Sequence, residues 1–269
     1  MDANEVPIGN GLETVYLIDA MAFIQQFQTL GASTFGQLQE LYMNKIMTNK
    51  PAGCQEVHFV GDRYDFRLNS LKGDERHRRG SGNQSPEYIP ADNLVIPPWK
   101  TFLSNPSNKA NLLPYLESCW SVAALPDGFC LILGISSHAV CVTKEGTTIR
   151  NELHCPNHEE ADTGLFTHIA NCRDGSRVVI QATDTDIILL SLYHYPRLSN
   201  IRQLWVEKAD VFLPIHDLVK SLSDTICEDT LQLTDTLLTC YVLSGCDSVS
   251  YPVLDCREHR TDKPVLEMD

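Results

Sequence analysis

Short runs of apolar residues alternate along this chain with longer segments in which apolar residues recur every three or four positions. The first pattern is typical of buried strands and the second of helices with one buried face. Strands are predicted at 15–19, 56–62, 129–135, 139–143, 148–153, 177–182 and 201–207. Helices are predicted at 20–30, 35–47, 111–125, 158–172, 184–195, 214–226 and 229–245.

This alternation of strands and helices predicts an α/β fold with a mostly parallel central sheet and helices on both faces, in three layers as in Rossmann-like proteins. Ser33 or Thr34 is expected to cap the second helix. A long irregular loop is expected at about 80–110, because this segment is rich in Gly, Ser, Asn and Pro. Pro114 is expected in the first turn of the helix that follows.

The composition is that of an ordinary soluble globular protein, with 43% hydrophobic and 21% charged residues among 269. The amino terminus lacks the pattern of a secretory signal, and no apolar run reaches the length of a membrane span. We therefore expect a nuclear or cytoplasmic protein that is not secreted, with reduced thiols at its ten cysteines. Cys155 and His158 have a zinc-like spacing, but no second ligand pair supports a structural zinc site.

The charge is acidic over the whole chain and basic in one segment. A formal net charge of −14 argues against a protein that simply coats nucleic acid, because phosphate binding needs cations. Segment 62–80 nevertheless holds six of the 21 lysines and arginines, namely Arg63, Arg67, Lys72, Arg76, Arg78 and Arg79. This segment either contacts an anion locally or forms a solvated loop whose charges pair with its own acids.

Acidic residues recur where the predicted strands end or where a helix begins. They are Asp19, Asp62, Glu160, Asp162, Asp184, Asp186 and Asp247. Because ligand sites of parallel sheets form outside the carboxyl ends of the strands, we expect these side chains to converge on one edge. Carboxylates packed together stay ionised only when a cation lies among them, and an all-oxygen ligand set favours Mg²⁺ or Mn²⁺.

Each acid also has a structural interpretation of its own. Asp19 and Asp184 are both placed to cap the helices that follow them. Glu159 and Glu160 suit the positive amino-terminal end of a helix, and Asp247 suits a turn. The strand-end position that several of them share favours one common site over these separate roles.

Five blocks in this order, IDAMAF, VGDRYD, EEADT, ATDTD and LSGCDS, resemble the PIN-like nucleases of the flap endonuclease/XPG type. They are most similar to those of uncharacterised, transposon-like animal proteins that carry HEEADT, DTD and GCDS blocks. The resemblance spans about residues 15–251. It implies a PIN-like metal-dependent nuclease domain at 1–251, followed by a short divergent or truncated tail at 252–269.

The resemblance also implies a mechanism, in which two Mg²⁺ or Mn²⁺ ions activate water to cleave phosphodiester bonds of DNA or RNA. The seven acids of the strand-end set would be the catalytic residues, and all of them except Asp62 would bind metal. The six basic residues of segment 62–80 would bind nucleic acid, with Lys72, Arg76 and Arg79 best placed to steer the phosphate. No membrane partner is implied.

Other functions remain open from the sequence. A D-x-D motif also occurs in haloacid dehalogenase-like phosphatases, in which the first aspartate, here Asp184, is a nucleophile, although they carry it on their first strand. A D-x-D glycosyltransferase is disfavoured because no sugar-nucleotide-binding pattern precedes the pair. The main alternative is a catalytically inactive or truncated PIN-like domain that binds nucleic acid or protein, which the acidic net charge and short tail favour.

Overall fold

The computed structural model of this chain describes residues 11–64, 85–136, 138–153, 160–208, 211–226 and 229–244. These residues form one eight-stranded sheet covered by helices. The strands are β1 (Thr14–Asp19), β2 (Glu56–Val60), β3 (Cys130–Gly134), β4 (Ala139–Thr143), β5 (Gly146–Arg150), β6 (Ser176–Gln181), β7 (Ile201–Lys208) and β8 (Val211–Pro214). The helices are α1 (Ala20–Phe27), α2 (Phe35–Asn49), α3 (Trp99–Ser104), α4 (Pro106–Trp120), α5 (Ala161–Ala170), α6 (Asp186–His194), α7 (Ile215–Ile226) and α8 (Thr230–Ser244).

The sheet is mostly parallel, as the alternation of strands and helices predicts. Its strand order is β5-β4-β3-β2-β1-β6-β7-β8. Strands β3, β2, β1, β6 and β7 run parallel. Antiparallel pairs extend the two ends, with β4 on β3 and β5 on β4 at one end and β8 on β7 at the other. Strand β1 lies inside the sheet and is buried along its whole length, which explains why its sequence is a nearly continuous apolar run.

Helices cover both faces of the sheet, and side chains alternate between the faces along each strand. Tyr16 and Ile18 of β1 pack in one core with α1, α2 and α4. Val15 and Leu17 pack in a second core with α5, α6 and α7. Helix α8 lies against α6 and α7. The expected three-layer α/β arrangement is therefore confirmed.

The segment expected to form a long irregular loop at about 80–110 is only partly irregular. Residues 85–98 have little regular structure, but α3 and the start of α4 follow them. Pro106 is the first residue of α4, a position where proline's missing N–H is tolerated. The side chain of Asn105 caps this helix by accepting a hydrogen bond from the backbone N–H of Ser107 at 2.9 Å. The Asn and Pro content that indicates a loop therefore serves to start a helix.

The ends of the helices agree with one smaller expectation and contradict another. Thr34 caps α2, since its hydroxyl accepts a hydrogen bond from the backbone N–H of Gln37 at 3.3 Å. The expected place of Pro114 is wrong, because α4 begins at Pro106 and Pro114 lies in its interior.

Strand β8 has no counterpart among the predicted strands, because it is four residues long and leads directly into α7. None of the helices in the described ranges has the length and apolar character that a membrane crossing requires.

Candidate functional site

Three neighbouring strands bring acidic residues to one edge of the sheet. Strands β2, β1 and β6 are adjacent and parallel, so their carboxyl ends lie side by side. Asp19 is the last residue of β1, Asp62 follows the end of β2, and Asp184 follows the end of β6. The strand-end positions that the sequence indicates are thus neighbouring positions in the fold.

Asp19 lies at the junction of β1 and α1 and is buried, with 9% of its surface exposed. Its Oδ1 accepts hydrogen bonds from the backbone N–H groups of Met21 at 2.8 Å and Ala22 at 3.0 Å. The interpretation of Asp19 as a helix cap is therefore confirmed. Burial nevertheless raises its pKa to about 6, and the charges of Asp62 and Asp184 add to the rise, although the two N–H donors oppose it.

Asp62 joins the end of β2 to the start of α5. Its Oδ1 accepts a hydrogen bond from the backbone N–H of Ala161 at 2.9 Å. Glu160 occupies the N-cap position of α5, but its side chain makes no capping hydrogen bond. Asp62, from a distant part of the chain, instead accepts a hydrogen bond from a backbone N–H group at this helix end. The contact keeps Asp162, in the first turn of α5, within electrostatic reach of the acids that follow β1 and β2.

The pKa of Asp162 is the clearest sign that these acids share one site, because it is raised to about 7. Burial is the largest cause, and four other carboxylates add to it by charge repulsion. Those carboxylates are, in decreasing order of effect, Asp19, Glu160, Asp62 and Asp184. Asp162 and these four residues are named the acidic cluster.

The two aspartates of the DTD block have different surroundings. Asp184 is exposed, and its Oδ1 accepts a hydrogen bond from the backbone N–H of Asp186 at 3.2 Å. Asp186 is the first residue of α6, and its Oδ1 accepts a hydrogen bond from the phenol of Tyr241 in α8. Asp186 is therefore held by a neighbouring helix, whereas Asp184 belongs to the acidic cluster. Tyr241 is a residue that sequence reasoning misses, because nothing in the pattern of α8 distinguishes it from a packing side chain.

The acidic cluster has the ligand chemistry of a Mg²⁺ or Mn²⁺ site, but its described side chains are not grouped around one position for an ion. Its donors are carboxylate oxygens, which these hard cations prefer. Within the described ranges, however, no three His, Cys, Asp or Glu side chains are grouped so that they could hold one ion. The two findings are compatible because charge repulsion acts over about 10 Å, whereas ligand oxygens must lie within about 2.5 Å of an ion.

Arg63 belongs to the basic segment and lies directly beside the acidic cluster. It is half-buried and follows Asp62 in the chain. With Tyr64 it lines a cleft of about 370 Å³ between α4 and the ends of β2 and β3. The other predicted site residues, namely Arg67, Lys72, Arg76, Arg78, Arg79 and Asp247, lie outside the described residues.

A buried pair of histidines fixes α5 against the sheet. The Nδ1 atoms of His58 in β2 and His168 in α5 lie 2.9 Å apart. Burial, followed by the charges of His58 and Arg150, lowers the pKa of His168 well below its usual value, so this ring is neutral near pH 7. A Cβ atom at Gly134 of β3 would lie 2.7 Å from Nε2 of His168, so glycine is needed for this close approach. The pair thus contributes to holding the helix that carries Asp162.

A scan against protein-family models matches no family, and searches of the curated proteins and of the solved structures return no match. The functional assignment of this chain therefore depends on the acidic cluster itself. Three features of the cluster bear on that assignment: its position at the carboxyl edge of the sheet, the burial of Asp19 and the concentration of negative charge.

Proposed function

We propose that this protein is a metal-dependent phosphodiesterase of the nuclease type, which acts on DNA or RNA with two Mg²⁺ or Mn²⁺ ions at the acidic cluster. The observation that carries the proposal is the placement of Asp19, Asp62 and Asp184 at the carboxyl ends of three adjacent parallel strands, together with the raised pKa of Asp162, which burial and four other carboxylates cause. Such a concentration of charge is unfavourable unless a cation offsets it. The resemblance of the sequence blocks to PIN-like nucleases supports the same function.

The residues of the site have separate roles in this function. Bound Mg²⁺ or Mn²⁺ supplies a water-derived nucleophile at neutral pH and stabilises the leaving oxygen. Buried Asp19 and partly buried Asp162 contribute carboxylates that bind cations, and their raised pKa values reflect the cost of carrying these charges without metal. Asp62 holds the start of α5 in place, and Arg63 binds the phosphate beside the cluster.

The first test is the thermal stability of the purified full chain with and without metal. Mn²⁺ and Mg²⁺ are expected to raise the melting temperature, because an ion that binds only the folded chain stabilises it. The double substitution of Asp184→Asn and Asp186→Asn should remove this rise. Asp174→Asn is the matched control and should keep it, since Asp174 is an exposed acid before the amino end of β6. No rise in the unsubstituted chain would contradict a metal site.

The second test is cleavage of labelled single-stranded, duplex and flapped DNA and RNA in the presence of Mn²⁺ or Mg²⁺. Cleavage should require the metal and should be lost in Asp162→Asn, whereas Asp174→Asn should cleave like the wild type. A protein that binds metal and nucleic acid but cleaves none of these substrates would favour the alternative function, a catalytically inactive binding module. This alternative agrees with the finding that no three His, Cys, Asp or Glu side chains of the described residues are grouped to hold one ion.

The basic segment is tested by the dependence of nucleic-acid binding on salt. Joint replacement of Arg76 and Arg79 by alanine should weaken binding and reduce the slope of log K against log salt by about 1 for each phosphate that is no longer neutralised. Lys220→Ala is a suitable control, because Lys220 is exposed on α7, outside the basic segment. An unchanged slope in the double variant would remove this segment from the proposed binding site.

A further inference from the structure

Two cysteine side chains meet at one antiparallel end of the sheet. The Sγ atoms of Cys130 in β3 and Cys141 in β4 lie 2.7 Å apart. Ile132 pairs directly with Cys141, so Cys130, two residues earlier, lies diagonally opposite Cys141 on the same face. Sulfur atoms at this separation need to approach by less than about 1 Å to form an S–S bond.

The surroundings of the pair favour a thiolate on Cys141. Arg150 of β5 pairs with Ala139, two residues before Cys141, so both side chains lie on the same face of the sheet. The hydrogen bond with Cys130 and the positive charge of Arg150 lower the pKa of Cys141, although burial and the charge of Glu56 oppose this shift. The same hydrogen bond is the main cause that raises the pKa of Cys130. Because the thiolate is the reactive form of cysteine, Cys141 is the nucleophile of the pair and Cys130 is the thiol that can resolve its oxidised form.

Cys54, Cys119 and Cys172 differ from this pair in their surroundings. Burial raises the pKa of Cys54 to about 11 and that of Cys172 to about 12, so both thiols stay protonated near pH 7. Cys119 is partly exposed, as Cys130 is, but its side chain lies beside Tyr115. Cys119 therefore provides an internal reference for oxidation that does not depend on a paired thiol.

We propose that Cys130 and Cys141 form a site of reversible oxidation, at which hydrogen peroxide converts the two thiols into a disulfide. The Cys141 thiolate first attacks one peroxide oxygen, which breaks the O–O bond, leaves a sulfenic acid on Cys141 and releases hydroxide. The sulfur of Cys130 then attacks the sulfur of Cys141, the S–O bond breaks, and water leaves with the thiol proton of Cys130. The hydroxide combines with the proton that Cys141 released when its thiolate formed. One peroxide molecule therefore yields two water molecules, and the two sulfur atoms together lose two electrons.

The disulfide would connect β3 to β4 and close a loop of residues 131–140. Such a link stabilises the folded chain mainly by restricting the unfolded one, and an increase of about 5 °C in melting temperature is expected. Thiol reductants reverse the change. This inference is independent of the proposed nuclease function, because none of the residues that carry it belongs to the acidic cluster.

The test exposes the reduced full chain to hydrogen peroxide, blocks free thiols with one alkylating reagent, reduces the protein and labels the recovered thiols with a second reagent. The tryptic peptide 110–144 contains Cys119, Cys130 and Cys141, so all three thiols are compared in one molecule by mass spectrometry. Cys130 and Cys141 should acquire the second label together and at the same rate, before Cys119 does. Oxidation of the pair no faster than that of Cys119 would overturn the proposal.

Serine substitutions identify the role of each thiol. In Cys130→Ser, peroxide should leave a sulfenic acid on Cys141 that a sulfenic-acid reagent traps, and the increase in melting temperature should be lost. In Cys141→Ser, Cys130 should become no more reactive than Cys119. Cys119→Ser should oxidise and gain stability like the wild type. An equal increase in melting temperature in Cys130→Ser would also overturn the proposal, because no link between β3 and β4 can form there.

Discussion

The carboxylate of Asp62 accepts a hydrogen bond at 2.9 Å from the backbone N–H of Ala161, a residue 99 positions further along the chain. The bond joins the segment after β2 to the first turn of α5. One side chain therefore stabilises a helix end and also adds negative charge to the acidic cluster. These two effects on the free energy of unfolding have opposite signs, and substitutions can separate them.

Asp62→Asn and Asp62→Ala distinguish the hydrogen bond from the charge. Asparagine keeps an acceptor for the N–H group of Ala161 and removes the negative charge, so this variant should be at least as stable as the wild type without metal. Alanine removes both, and Asp62→Ala should be less stable than Asp62→Asn by about 1 kcal/mol. Urea unfolding in the presence of a chelator gives both free energies. Equal stability of the two variants would mean that the bond to Ala161 contributes nothing measurable.

Single substitutions in the DTD block should differ in their effect on metal binding. Asp184→Asn should remove most of the Mn²⁺-dependent rise in melting temperature, because Asp184 repels Asp19 and Asp162 within the acidic cluster. Asp186→Asn should keep more of the rise, because Asp186 is bonded to Tyr241. Thermal unfolding across a Mn²⁺ titration compares the two variants. The opposite order would show that Asp186 leaves Tyr241 to bind the ion.

The free energy of unfolding of the metal-free protein should lose a contribution from Asp19 and Asp162 as the pH rises from about 4 to about 7. Their pKa values in the folded chain are about 6 and about 7, against an ordinary value of 3.8. The folded chain therefore keeps protons that the unfolded chain has already released. Protonation of these groups stabilises the folded state fully below the ordinary pKa, and this stability is lost as the pH passes the raised values.

Asp162→Asn isolates this contribution from other titrating groups. His168 acts in the opposite direction, because its pKa is lowered well below 6.5 and the stability of its neutral form is lost as the pH falls below that value. His168 is present in both proteins, so its effect largely cancels in their difference. Denaturant unfolding at several pH values with a chelator should show Asp162→Asn becoming more stable relative to the wild type as the pH rises. A difference that does not change with pH would contradict the raised pKa of Asp162.

Gly134→Ala should destabilise the fold by about 1–3 kcal/mol through overpacking. The added Cβ would lie 2.7 Å from Nε2 of His168, whose ring is buried and bonded to His58. Gly164→Ala is the matched control, because a Cβ there meets Cγ1 of Val60 at 3.4 Å. Since alanine favours helices over glycine, Gly164→Ala should be neutral or should stabilise α5 by up to about 1 kcal/mol. Urea unfolding checks both, and equal effects would contradict the steric role of Gly134.

The sheet and the main acidic positions are predictable from the sequence because burial leaves a strong local pattern. Strands β1 and β6 are buried along their whole length, and each contains an apolar run that an acid closes or follows, although β6 also buries polar side chains. In a parallel sheet, the residues that follow the carboxyl ends of adjacent strands lie at the same edge, independently of the loops that connect the strands. The convergence of Asp19, Asp62 and Asp184 follows from this rule.

Other features are not predictable because they depend on contacts between distant segments. The capping of α5 by Asp62 and the bond between Tyr241 and Asp186 join residues that have no relation in the local pattern. Helix α3 lies in a segment whose composition indicates a loop, and there packing of the buried Phe102 outweighs local propensity. Close approaches such as that of Gly134 to His168 appear only once the elements are assembled.

Strand β5 completes one end of the sheet, and its residues are mostly exposed. Its partner strand β4 is joined to it by a short turn between Thr143 and Gly146, which lies several strands away from β1. A fluorophore or an affinity peptide attached at this turn would leave the carboxylate-bearing edge untouched. The turn is therefore a practical attachment point for immobilising or labelling the protein.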